Sequence, residues 1–151
     1  MKKKSIFVVD SNKDFVAQMG KLISTQEDMY LIGTANNGKD ALVQIKSIKN
    51  IDVIITELVM DGFALLNELR NYYFDKDTKP YIIVNSGLYN QNIINMVTSL
   101  GANQFLLKPY ESNTLIQNIK LANGKVNTPC KVTINLEKQI TDILHDVGIP
   151  A

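Results

Sequence analysis

Five short apolar runs recur along the chain, and each is followed by a stretch whose apolar residues fall at helical spacing. The runs are Ser5-Ile6-Phe7-Val8-Val9, Tyr30 to Ala35, Ile51 to Glu57, Tyr81-Ile82-Ile83-Val84 and Gln104-Phe105-Leu106-Leu107. They are short, β-branched or aromatic, and bounded by turn residues, as fully buried strands are. The stripes between them are Phe15, Met19, Leu22 and Ile23; Ala41, Leu42, Ile45 and Ile48; Leu65, Leu66 and Leu69; Ile93, Met96, Val97 and Leu100; and Leu115, Ile116 and Ile119. Parallel strands need crossover helices, and right-handed crossovers cover both faces of the sheet. The pattern therefore predicts an α/β fold with a doubly wound, five-stranded parallel sheet. Ser11-Asn12-Lys13-Asp14 reads as a variant capping box with Ser11 as the helix cap. Gly101 sits where a C-terminal cap glycine belongs.

This unit fills residues 1–123. Residues 124–134 lack apolar periodicity and read as a linker containing Pro129 and the single cysteine, Cys130. One cysteine excludes an internal disulfide and fits a reducing cytoplasm. Residues 135–151 carry Leu136, Ile140, Ile143, Leu144 and Val147 as a further stripe, ended by Gly148-Ile149-Pro150. They predict a C-terminal helix that either docks on the domain or begins a second one. A formal net charge of +1 carries no nucleic-acid or membrane footprint. Lys2-Lys3-Lys4 precedes an apolar stretch that ends at Asp10, too short for a signal peptide, and no stretch is long enough for a membrane span. His145, the only histidine, has no Cys or His neighbours and is not read as a metal ligand.

Four of the runs end on groups capable of chemistry: Asp10, Glu57, Ser86 and Lys108. In a flavodoxin-like strand order, 2-1-3-4-5, these ends converge at the switch point of the sheet, where open α/β folds place ligands. Carboxylates suit a hard cation such as Mg²⁺ or Ca²⁺. A lysine ammonium pairs with phosphate as a point charge, and a serine hydroxyl donates to phosphoryl oxygens. Taken singly, each residue has a plainer reading. Asp10 alone would be a helix N-terminal charge, Ser86 turn chemistry and Phe105 core. Asp61, before Gly62, is a helix-start residue. Lys108-Pro109 has little local structural reason, and it gives the set its weight. The chain is not read as an enzyme. Asp10-Ser11-Asn12-Lys13 lacks both the hydroxyl-rich phosphate loop of a flavodoxin and the paired acids of a dehalogenase-type phosphatase.

The set resembles the receiver domains of two-component response regulators. Asp10, the strand ending on Glu57, Ser86, Phe105 and Lys108-Pro109 carry the resemblance, in order, over residues 5 to 123. It implies a phosphoacceptor at position 57, loaded by a histidine kinase with a divalent cation bound, and a switch made of Ser86 and Phe105. The implied partners are a histidine kinase, a phosphotransferase or a partner receiver, with a homodimer allowed through the fourth helix, fifth strand and fifth helix. Gln26-Glu27-Asp28-Met29, Ile32-Gly33, Asn37-Gly38, Leu100-Gly101-Ala102 and the tail from Ile140 to Ala151 are similar to the sporulation transcription regulators of spore-forming bacteria. That similarity makes residues 135–151 the start of a DNA-binding effector, with DNA engaged only through parts beyond this chain.

The departures from the family pattern gather at the site. Ser11 stands where the second acid of the pair is expected, Glu57 stands at the acceptor position, and the loop before Asp61-Gly62 is shorter. The metal set shrinks to Asp10, Glu57 and a backbone carbonyl near Val59, which implies weakened Mg²⁺ or Ca²⁺ binding. The extra methylene of Glu57 displaces its carboxylate, and a misplacement of about 1 Å costs about 10²-fold in an in-line transfer. A direct Glu57–Lys108 pair is expected to satisfy the acid. The sequence thus predicts a pseudo-receiver that is not phosphorylated conventionally. Glu57 either imitates an aspartyl-phosphate or marks a disused site. The alternative function is a stand-alone interaction module that binds a kinase, phosphotransferase or receiver without transferring phosphate.

Overall fold

A computed structural model describes residues 2–58, 61–122 and 130–134. The elements are β1 (Lys4–Val9), α1 (Lys13–Ser24), β2 (Met29–Ala35), α2 (Gly38–Ser47), β3 (Val53–Glu57) and α3 (Gly62–Tyr73). They continue with β4 (Tyr81–Ser86), α4 (Gln91–Ser99), β5 (Gln104–Leu107), α5 (Ser112–Leu121) and β6 (Lys131–Thr133). The strands form one sheet in the order β2-β1-β3-β4-β5-β6, and every pairing is parallel.

The sheet has six strands rather than the expected five. The sixth lies in the segment expected to be linker. Lys131 N–H donates to Asn103 O at 3.0 Å, and Gln104 Nε2 donates to Thr133 Oγ1 at 3.1 Å. The β5 edge offers unpaired backbone groups, and a three-residue Lys-Val-Thr segment can satisfy them without any periodicity of its own. The expected C-terminal helix over 135–151 lies outside the described residues, as do His145 and Val59.

The strands read as continuous apolar runs because helices cover both faces. Alternation sends Phe7, Val9, Ile54, Ile82, Val84, Phe105 and Leu107 to one face, against Ala41 and Ile45 of α2, the three leucines of α3, and α4. It sends Ile6, Val8, Val53, Ile55, Ile83 and Leu106 to the other, against Met19 and Ile23 of α1 and the α5 stripe. In α4 three of the four expected stripe residues pack on the core, Met96 does not, and Ile94 joins them. Ile94 and Val97 are buried, Ile93 and Leu100 pack at the margin, and Met96 is half exposed. Adjacent Ile93 and Ile94 admit either helical phase, and packing selects the second.

Backbone chemistry fixes the element ends. Gly101 takes a φ of +93°, with Gly101 N–H donating to Thr98 O at 3.1 Å and Ala102 N–H to Val97 O at 2.9 Å. This pair of bonds is a Schellman termination. The cap of α1 is Asn12, not Ser11: its Oδ1 accepts from the N–H groups of Asp14 at 3.0 Å and Phe15 at 3.2 Å. Between β1 and β2 the register slips beside Phe7, and the Phe7 ring lies 2.6 Å from where a Cβ on Gly33 would stand. Only glycine lets that ring cross the neighbouring strand so closely.

Three tyrosines are held in their neutral form. Burial pushes the Tyr73 phenol up to about 12, helped by neighbouring Tyr72. Burial raises Tyr81, whose Oη donates to Gln104 Oε1 at 3.2 Å, with a smaller contribution from the Cys130 thiol. Burial and then the Asp10 charge raise Tyr110. A folded value above the unfolded one, about 10, means that the stabilisation is complete below pH 10 and is lost as pH climbs through the folded values. Urea unfolding midpoints are expected to fall steadily from pH 10 upwards, with a shallower fall in Tyr110→Phe. A flat midpoint to pH 12 would contradict the assignment.

Candidate functional site

The carboxyl end of the sheet gathers one row of polar groups on the α1/α5 face. Asp10 follows Val8, Glu57 follows Ile55, Asn85 follows Ile83 and Lys108 follows Leu106 at the two-residue period of a strand. Register brings them side by side, with Val9 opposite Thr56, Glu57 opposite Asn85 and Asn85 opposite Leu106.

Asp10 is 2% exposed. Its Oδ1 accepts Asn12 N–H at 2.9 Å, and its Oδ2 lies 3.4 Å from Lys108 Nζ. The Lys108 ammonium also stands 4.7 Å above the Phe15 ring, a cation–π contact. The ion pair at this lysine is therefore with Asp10, where a Glu57–Lys108 pair was expected. Glu57 instead accepts Ser11 N–H through Oε1 at 2.6 Å. Its longer side chain reaches past the row to the turn before α1, where an N–H points outward. That short charge-assisted bond holds the carboxylate there. It also draws the Ser11 backbone to the site and leaves the capping of α1 to Asn12.

Gly62 lies close against the end of β3. A Cβ on Gly62 would overlap the Glu57 carbonyl, so the glycine allows α3 to start against the end of β3. Asp61 precedes α3, yet its side chain does not cap that helix. Its Oδ2 accepts Gly38 N–H at 3.0 Å and so ties the start of α2 to the start of α3.

Ser86 and Phe105 lie across the sheet from this row. Ser86 is buried, its Oγ donating to Leu88 O and accepting Leu88 N–H, each at 3.0 Å. Phe105 is fully buried, with the Tyr89 ring 6.1 Å away at a tilt of 56°. The Lys108–Pro109 peptide is cis.

Two members of the site were not singled out from the sequence. Asn85 is 1% exposed, and the Tyr110 hydroxyl is buried beside it. Burial chiefly, and then the charge of Asp10, raises the Tyr110 phenol, and a side-chain hydrogen bond with Asn85 draws it back down. The signal in the sequence was an amide closing an apolar run. It stands in Val84-Asn85-Ser86-Gly87, next to the serine that drew the attention.

The donor set suits a divalent cation poorly. Asp10 carries an N–H and an ammonium, Glu57 carries an N–H, and Ser11 offers no carboxylate. Among the described residues no cluster of three or more acidic, histidine or cysteine side chains is placed to hold a metal.

A doubly wound parallel sheet with Asp10, Glu57 and Lys108 gathered at its carboxyl ends defines a receiver-type α/β domain. The chain belongs to the response regulator receiver domain family, whose family model matches residues 6–120. Solved structures share the fold. The receiver domain of the response regulator NarL from Mycobacterium tuberculosis is 22% identical, covering 80% of this chain and 99% of its own, with a TM-score of 0.66. CheY in the CheX-CheY-BeF3-Mg²⁺ complex of Borrelia burgdorferi is 24% identical over 78% of this chain and 87% of its own, with a TM-score of 0.67. RcsB of Salmonella typhimurium is 16% identical over 98% of this chain and 68% of its own, with a TM-score of 0.73.

Proposed function

We propose that this chain is the receiver part of a phosphorelay response regulator resembling stage 0 sporulation protein A, and that it works as a pseudo-receiver. The observation that carries this reading is the 2.6 Å bond from Ser11 N–H to Glu57 Oε1. It turns the carboxylate at the acceptor position toward the β1–α1 turn, while Lys108 neutralises Asp10. A carboxylate can be a nucleophile, but one so engaged is a weaker nucleophile and lies off the line of transfer.

Cation binding by Asp10 and Glu57 is weakened because their oxygens already accept donors. The domain acts by being bound, with a histidine kinase, phosphotransferase or partner receiver as the class of partner and DNA engaged only through an effector beyond it. It has no catalytic turnover of its own and acts in the cytoplasm. Any homodimer through α4, β5 and α5 has to accommodate β6 on the edge of β5. Incubated with acetyl phosphate and Mg²⁺, the protein is expected to show no phosphoryl adduct by intact mass. A stoichiometric adduct mapped to Glu57 would overturn this reading.

A further inference from the structure

We propose that β6 guards the edge of the sheet: residues 130–134 occupy a strand-acceptor site along β5 that otherwise pairs with β5 of a second copy of this chain. β5 is not built to stand at an edge. Gln104-Phe105-Leu106-Leu107 carries neither charge nor proline, and all four residues are buried. Strands that end a sheet are blunted by charges, prolines or short length, because their unpaired N–H and C=O groups are a template for another chain. β6 has what β5 lacks: it is three residues long, and its Lys131 is exposed.

The acceptor site is specific. Lys131 N–H donates to Asn103 O at 3.0 Å, and Gln104, Phe105 and Leu106 stand opposite Lys131, Val132 and Thr133. The Gln104 carboxamide is 2% exposed; its Oε1 accepts from Tyr81 Oη at 3.2 Å, and its Nε2 donates to Thr133 Oγ1 at 3.1 Å. Cys130 and Ile134 pack against the core cluster that contains Phe105, and a side-chain hydrogen bond joins the Cys130 thiol to Thr98 of α4. Releasing β6 therefore uncovers, along one line, unpaired backbone groups, a buried amide donor and an apolar margin. Another strand satisfies all three at once. A second β5 offers the same groups in return, because a carboxamide both donates and accepts and two such edges pair about a two-fold axis. β6 is held on one side only, so its release leaves the other five strands paired among themselves. β3, which carries Glu57, lies two strands from β5, so the guard stands whether or not that residue takes up a phosphoryl group.

Lys131→Pro removes the N–H that anchors β6, and proline cannot donate to the ladder; Lys131→Ala keeps it. Both are made in the full chain. Mass in solution is followed by light scattering over a range of concentrations, alongside the rate of maleimide labelling at Cys130. Wild type and Lys131→Ala are expected to hold the monomer mass and to label slowly. Lys131→Pro is expected to label several-fold faster and to rise towards twice the monomer mass with concentration, with the amides of residues 104–107 still protected from exchange by NMR. Thr133→Pro repeats the test at the other end of β6, and retained amide protection in β1 and β3 shows that each variant is folded. An unchanged Cys130 rate in both proline variants would overturn the seating of β6. A fast-labelling variant that stays monomeric, or a dimer whose residues 104–107 exchange freely, would overturn the guard.

Discussion

Phe105→Ala is expected to lower the free energy of unfolding by about 3–5 kcal/mol, the range found when a fully buried aromatic ring is truncated. Phe105 is wholly inaccessible and stands between Val84 and Val132 in the sheet, with helices over its face. Main-chain pairing on both sides holds the strand in place, so the cavity cannot collapse by moving β5. The surrounding side chains alone can close on it, and Tyr89, half exposed and with its ring centroid already 6.1 Å from that of Phe105, has the room to do so. Domain stabilities of about 5–15 kcal/mol leave such a variant folded but marginal. Urea titrations of the variant and the parent check the figure, and a loss below about 1 kcal/mol would mean that Tyr89 fills the space. The same geometry bears on switching. Phe105 is inward, as imitation of an aspartyl-phosphate requires, while the Ser86 hydroxyl closes on Leu88 from the face of β4 opposite to the one that continues Ile83.

Most of the fold was legible because burial on both faces writes itself into composition. Ile6 to Val9, Ile54-Ile55 and Ile82 to Val84 are apolar at consecutive positions, which no amphipathic helix or half-buried strand requires. What escaped has the opposite character. β6 is three residues long, and its partner is an edge rather than a core, so only the finished sheet shows where it belongs. In α4 the doublet Ile93-Ile94 leaves the phase to packing. At the site, the sequence set of Asp10, Glu57, Ser86 and Lys108 holds for three members: alternation along the strands keeps Asp10, Glu57 and Lys108 in one row and sends Ser86, expected among them, to the other face. The pairing within the row was not legible, because it turns on where one additional methylene carries the Glu57 carboxylate. Asn85 was overlooked because an asparagine before Ser-Gly is ordinary turn chemistry. Its full burial is a property of the β3–β4–β5 register, not of its neighbours in sequence.

Lys108→Met tests the pairing within that row most directly, and it should cost about 1–3 kcal/mol. Removing one partner of a fully buried pair costs about 3–5 kcal/mol. That figure has to be reduced here, because the Lys108 side chain is 33% exposed and solvent already screens part of the interaction. Asp10 is the reason the cost remains large: at 2% exposure its carboxylate keeps one N–H donor, from Asn12, and loses the ammonium opposite. The two halves of the pair are therefore unequal. Asp10→Asn leaves a lysine that can turn its ammonium to water and keep its stem on Phe15, so it should cost clearly less than Lys108→Met. The double variant, in which neither charge is buried, should lie close to Asp10→Asn. Had Lys108 been paired chiefly with Glu57, which is itself partly exposed, Lys108→Met would be mild and Asp10→Asn would not rescue it. Chemical denaturation of the three variants at neutral pH separates the two arrangements. Equal single-variant losses, or a double variant no better than Lys108→Met, would rule out the Asp10–Lys108 pair as the anchor of the pocket.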